Sequence, residues 1–213
     1  MAGQAQAVAA FVPLPPPLEA CRLFCRDHFP FFSWPRGGES CRQSAVLVTL
    51  YPHEGTMRMI LLVRPANLRR HPGQIGFPGG AREERDLAPV DTALREASEE
   101  IGLDRSKAEV LGLLPREFAY SSDFCIVPVL AWWPFEGGPV LRPDPVEVEA
   151  LLTPSVNELG ETPSLEWREE RGRAFLYPVF PLGGRRLWGA SARIALRFLR
   201  LLSRFGDGLS CPS

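Results

Sequence analysis

The chain has 213 residues, 45% of them hydrophobic, with 24 basic and 25 acidic side chains that leave a net charge of −1. A single domain of this length buries a core that needs no staples, and a near-neutral balance supplies no field for nucleic acid or an anionic membrane. The expected partner is a small molecule met by a local cluster, with no nucleic acid and no membrane, and a homodimer is left open. No apolar run reaches the length of a membrane span and the N-terminus lacks the basic start of a secretory signal, so a cytoplasmic location is the default. Cysteines at 21, 25, 41, 125 and 211 form no repeated Cys-x-x-Cys pattern and are read as reduced thiols.

Residues 1–17 combine small residues with a proline run, which predicts an extended leader outside the catalytic domain and dispensable for chemistry. Leu18, Cys21, Leu23 and Cys25 allow a short helix to His28, followed by a Pro/Gly-rich linker, so 18–43 reads as an N-terminal attachment. Ser44 to Tyr51 and Met57 to Val63 are β-rich runs joined by Pro52-His53-Glu54-Gly55-Thr56, a hairpin signal. Apolar runs at Val110 to Leu114 and Cys125 to Trp133 add strands buried on both faces, and a helix from about Ala190 to Ser203 closes the domain. The architecture expected is α/β, a mixed β-sheet between helices over 44–205, with 206–213 as a C-terminal tail.

The chemistry concentrates in Pro89 to Leu103. Pro89 suits a first helical turn and Gly102 a left-handed cap, while Val90, Ala93, Leu94, Ala97 and Ile101 make one apolar stripe. On that helix Glu96, Glu99 and Glu100 share an arc of roughly 100° beside the stripe. Like charges so crowded repel, and something positive must offset them. A hard cation, Mg²⁺ or Mn²⁺, suits such an oxygen cluster and bridges substrate phosphates. A plain solvated face partly neutralised by Arg95 or Lys107 is the other reading. Phe77-Pro78-Gly79-Gly80, just upstream, lets backbone carbonyls approach a cation.

Gly80, Asp86 and Arg95-Glu96-Ala97-Ser98-Glu99-Glu100-Ile101-Gly102-Leu103 together resemble the Nudix box. Two departures stand out: Asp86 occupies the place of a glutamate, and the spacer before Arg95 is one residue longer than the common pattern. The resemblance implies the Nudix fold, an α/β/α sandwich, and divalent-metal-dependent cleavage of a pyrophosphate. It also implies Glu99 and Glu100 as metal ligands, Glu96 as ligand or water-orienting group, Arg95 as the residue orienting a glutamate, and the Gly80 carbonyl as a further ligand. Upstream, Arg64, Arg69, Gly73 and Phe77 to Gly80 are similar to the motif of the coenzyme A pyrophosphatase branch, with Leu62 and Pro65 as departures. That resemblance extends from about Ser44 to Leu202 and implies coenzyme A or an acyl-CoA as substrate, with Arg64, Arg69, Gly73 and Phe77 in its binding. Guanidinium forks suit phosphate groups.

The general base stays open among Glu96, Glu100 and Glu147, the last lying outside the box. Trp132, Trp133 and Trp188 either fill the core or stack a base. Two other functions remain on the table, a Nudix pyrophosphatase for ADP-ribose or a dinucleoside polyphosphate, and a non-catalytic nucleotide-binding protein. The three crowded carboxylates argue against the second.

Overall fold

The structure, a computed structural model, describes residues 9–28, 34, 41–68, 71–120, 122–160 and 163–205. Its elements in chain order are α1 (Pro16–His28), β1 (Arg42–His53), β2 (Thr56–Met59), β3 (Leu61–Val63), β4 (Ile75–Gly76), β5 (Gly79–Ala81), α2 (Pro89–Ile101), β6 (Glu109–Leu113), β7 (Glu117–Ala119), β8 (Phe124–Trp132), β9 (Ala150–Leu152), α3 (Val156–Gly160), β10 (Ser164–Glu170), β11 (Arg173–Leu182), β12 (Arg185–Leu187) and α4 (Gly189–Ser203). Among the described residues no helix is long and apolar enough to cross a membrane.

The central sheet is mixed, as its apolar runs predict. β1 and β8 lie side by side in parallel, with Ser44 opposite Ile126 and Leu50 opposite Trp132. β2 and β5 pair antiparallel with the far side of β1, and β6 and β7 with the far side of β8. Side chains on β1 and β8 alternate between two cores. Ala45, Leu47 and Val127 meet Ala93, Ala97 and Ile101 of α2, whereas Val46 and Ile126 face the core shared by Leu18 and Cys21 of α1 and Phe198 and Leu202 of α4. Helices therefore cover both faces.

The expected run from Met57 to Val63 is two strands. β2 completes the hairpin with β1 through a two-residue turn at Glu54 and Gly55, both left-handed (φ 49° and 70°). At Ile60 the chain turns away, and β3 joins a separate sheet between β4 and β9. Every residue from Met59 to Val63 is buried, so no alternation marks the break.

Two expectations about the N-terminal part change. Cys41 and Cys125 form a disulfide rather than free thiols, because the parallel pairing of β1 with β8 brings their Cα atoms to 5.7 Å. Cys21 and Cys25 are the buried free thiols, and burial pushes their pKa values up to about 12 and about 11, which keeps them protonated. Of the leader, residues 9–15 are described, and they are held against the domain. The Val12 N–H donates to the Pro134 carbonyl, the Glu136 N–H donates to that of Ala10, and the Trp132 indole donates to that of Val12. Cys211 and the tail from 206 lie outside the described residues.

Candidate active site

Helix α2 starts at Pro89 and stops at Gly102, whose left-handed backbone (φ 66°) directs its N–H and that of Leu103 back to the Ser98 and Ala97 carbonyls. Its buried face is wider than the apolar stripe and takes in Thr92, Arg95 and Glu100. A buried guanidinium needs partners on every side. Arg95 has them: Nη2 donates to Asp86 Oδ2 at 2.9 Å and to the Ala81 carbonyl at 3.1 Å, while Nη1 donates to Glu96 at 2.9 Å and Glu99 at 3.0 Å. Arg95 thus offsets the charge of Glu96 and Glu99 in the acidic arc.

Asp86, the irregular member of the box, is the anchor of that arrangement. It is 3% exposed and accepts hydrogen bonds from Arg95, the Thr92 hydroxyl and the Glu83 N–H. Burial opposes its ionisation, but these donors outweigh burial and hold its pKa down at about 2. Its role is to fix Arg95, and the shorter side chain is matched by direct contact.

Glu96 and Glu100 converge on the glycine strand β5. Glu100 is 3% exposed, accepts the Gly79 N–H at 2.8 Å and faces Arg64 Nη1 at 3.6 Å. Burial, with repulsion from Glu96 and Glu147 adding to it, lifts its pKa to about 8 against the pull of Gly79 and Arg64. Burial raises Glu96 as well, and Glu99 and Glu147 repel it further. The Glu96 carboxylate rests where a Cβ at Gly80 would stand, so only glycine admits it. Glu99 is half exposed and held by Arg95 and Arg85. Glu147 is exposed, on the loop that follows Asp144, whose N–H caps the Glu100 carbonyl. Its side chain has no hydrogen-bond or ion-pair partner among the described residues, yet it lies near enough to act on both Glu96 and Glu100.

Among the described residues no three His, Cys, Asp or Glu side chains stand close enough to cage a metal. The donor set nonetheless fits a hard divalent ion in kind. Glu96, Glu99 and Glu100 are all-oxygen donors on one helix flank, and the missing side chain at Gly80 lets the Glu96 carboxylate lie against that strand.

Beyond β5 the central sheet forms the floor of a cleft of about 290 Å³. Arg64, His71, Phe77, Gly79 and Gly80 line one side, and Ala119, Tyr120, Phe124, Tyr177, Trp188 and Arg193 line the other. Trp132 and Trp133 are core residues, whereas Trp188 lies in the cleft wall with Arg168 4.3 Å above its ring. Of the expected substrate residues, Arg64 and Phe77 reach the cleft. Gly73 sits in the preceding turn, where its N–H donates to the Arg64 carbonyl, and Arg69 lies outside the described residues. The far wall of Tyr120, Tyr177 and Arg193 gave no sequence signal, because its members come from three elements far apart in the chain.

Residues 42–175 match the model of the NUDIX domain. The chain belongs to the Nudix family. Its sheet between helices is the Nudix fold and its activity that of a pyrophosphohydrolase. It is 36% identical over 168 residues to the mouse mitochondrial coenzyme A diphosphatase NUDT8, covering 75% of this chain and 78% of that one. An uncharacterized Nudix hydrolase of Pectobacterium atrosepticum, NudL, is 44% identical over 89 residues, spanning 42% of this chain and 45% of that protein. A MutT/nudix protein structure from Enterococcus faecalis aligns over 85% of this chain and 69% of that one, with a TM-score of 0.48 and 15% identity.

Proposed function

We propose that this Nudix hydrolase cleaves the pyrophosphate of coenzyme A or an acyl-CoA, giving 3′,5′-ADP and 4′-phosphopantetheine or its acyl form. The observation that carries the reading is the meeting of Arg64 with Glu100. Arg64, an arginine of the substrate motif that lines the cleft, stands 3.6 Å from a buried carboxylate of the Nudix box. A match along three quarters of the chain to a protein named as a coenzyme A diphosphatase supports it.

Glu96, Glu99 and Glu100 would hold Mg²⁺ or Mn²⁺, with the Gly80 carbonyl beside them. Such an ion, when bound, neutralises phosphate charge and acidifies a water. Arg64 positions the pyrophosphate by charge-assisted hydrogen bonds. Arg95, fixed by Asp86, sets the orientation of Glu96 and Glu99. Water attacks one phosphorus, the bond to the bridging oxygen breaks, and the water proton passes to a carboxylate. Glu147 is assigned that proton because, of the three candidates, its carboxylate alone accepts no donor among the described residues.

Turnover of coenzyme A, ADP-ribose and NADH by the pure protein in Mg²⁺ or Mn²⁺ tests the reading. Coenzyme A should be hydrolysed with the highest kcat/KM. A clear preference for ADP-ribose or NADH would replace the substrate while leaving the chemistry in place.

A further inference from the structure

Behind the cleft wall that Ala119 and Arg193 line, one buried acid is shared by two arginines of α4. Glu117 of β7 is 5% exposed and pairs with Arg193 Nη2 at 2.6 Å and Arg197 Nη1 at 3.2 Å. Burial raises its pKa, and the two guanidiniums pull the other way. Holding α4 to β7 requires only one of them, and Arg197, half exposed, meets that need. Arg193 is turned into the cleft instead, its guanidinium 4.9 Å from the Tyr177 ring. Nη2 is occupied by Glu117 and by the Phe118 carbonyl at 2.8 Å. Nε is sequestered from solvent with no partner, and Nη1 has none among the described residues. An arginine fixed at one nitrogen and unsatisfied at the others is oriented for an anion.

The same wall carries an unsatisfied acceptor. Glu170 lines the cleft with Tyr177, and its Oε2 is buried without a hydrogen-bond partner among the described residues. Trp188 lines the same cleft, its ring centroid 6.5 Å from that of Tyr177 and edge-on to it. A flexible, uncharged amide arm would leave the arginine unmatched. An adenine nucleotide carrying a phosphomonoester supplies all three needs: an amino donor for Glu170, a ring for the aromatic wall and an anion for Arg193.

Strand order gives the spacing. Gly80 pairs with Ala45, Ser44 with Ile126, and Ile126 with Glu117, so β5 and β7 are separated by three strand spacings, about 14 Å. A pyrophosphate at β5 and a second phosphate near β7 leave the sheet between them for a nucleoside.

We infer that Arg193, positioned by Glu117, reads the 3′-phosphate of the substrate's adenosine, which places the nucleotide half of the molecule against Tyr177 and Trp188. This rests on the coenzyme A reading, and binding separates the two. Affinities of the full chain for adenosine 3′,5′-bisphosphate and adenosine 5′-monophosphate are measured by calorimetry, for wild type, Glu117→Gln and the doubly neutral Glu117→Gln/Arg193→Met. The last leaves no unpaired buried charge on Glu117, and its melting temperature confirms folding. The wild type should prefer the bisphosphate by about ten- to a hundred-fold, the double variant should lose that preference, and Glu117→Gln should fall between them. A structural clamp would weaken both ligands alike. A wild type without preference, or a preference that survives in the folded double variant, overturns the inference. Bisphosphate preference without coenzyme A turnover would instead leave Arg193 in its role and remove the proposed substrate.

Discussion

Arg95 reaches Asp86 Oδ2 at 2.9 Å through one terminal nitrogen and Glu96 Oε1 at 2.9 Å through the other, so one guanidinium joins an acid of the loop to an acid of the helix. The loop acid is structural and the helix acid faces the glycine strand. Separate experiments can therefore distinguish them.

For Asp86 the prediction is a pH-dependent loss of stability. Its folded pKa of about 2 is below the ordinary value of 3.8, so its contribution is present above about pH 4 and is lost as pH falls toward 2. That difference is worth about 2 kcal/mol, and stranding Arg95 adds to the cost in Asp86→Asn. Denaturant unfolding at a series of pH values should show the variant weaker at pH 6 and the gap closing toward pH 2. A gap independent of pH would mean that the Asp86 charge does not matter.

Neighbouring glycines should separate stability from catalysis. An alanine at Gly79, where φ is 157°, meets the Ala45 carbonyl and the backbone of Val46, none of which can yield. At Gly80 the obstacle is the tip of Glu96, which can swing aside. Gly79→Ala should lower the melting temperature by several degrees, as expected for a loss of about 2 kcal/mol. Gly80→Ala should stay folded and lose more than about ten-fold in kcat/KM. Thermal melts and rates on the pair check this, and a fully active Gly80→Ala would show that the place of Glu96 is unimportant.

Truncation tests the N-terminal contacts. Deleting residues 1–15 removes the backbone bonds of Ala10 and Val12 to Pro134 and Glu136, together with the apolar contacts of Val12 and Leu14. Stability should fall by about 1–3 kcal/mol while the metal helix keeps its chemistry. An unchanged melting curve would show that these contacts carry no stability, and lost turnover in a folded truncated protein would contradict a leader dispensable for chemistry.

Both ends of α2 were legible because Pro89 and Gly102 act locally, and α4 begins within one residue of its expected start for similar reasons of periodicity. The buried ion network was not. Which carboxylate goes inside depends on Asp86, nine positions before Arg95, folding back under the helix. The pairing of Cys41 with Cys125 was equally hidden, since 84 residues separate them and only the parallel neighbouring of β1 and β8 joins them. Ile60 ends β2 inside an unbroken apolar run because the chain changes sheets there, a tertiary choice. The helical spacing put Glu96, Glu99 and Glu100 on one arc and the resemblance implied that Arg95 orients a glutamate, but its burial and its bonds to Asp86 and the Ala81 carbonyl had no signal in the sequence.

Coenzyme A hydrolysis followed by phosphorus NMR, with Mg²⁺, with excess chelator, and with Glu99→Gln or Glu100→Gln in place of wild type, tests the central claim most directly. Wild type with Mg²⁺ should release 3′,5′-ADP and 4′-phosphopantetheine in equal amounts. Chelator should stop the reaction, and either variant should slow it by more than about 100-fold while staying folded in the metal-free form, as a melting curve checks. Intact coenzyme A after incubation of folded wild type with Mg²⁺ or Mn²⁺, or turnover undiminished by chelator and by both variants, would contradict the account.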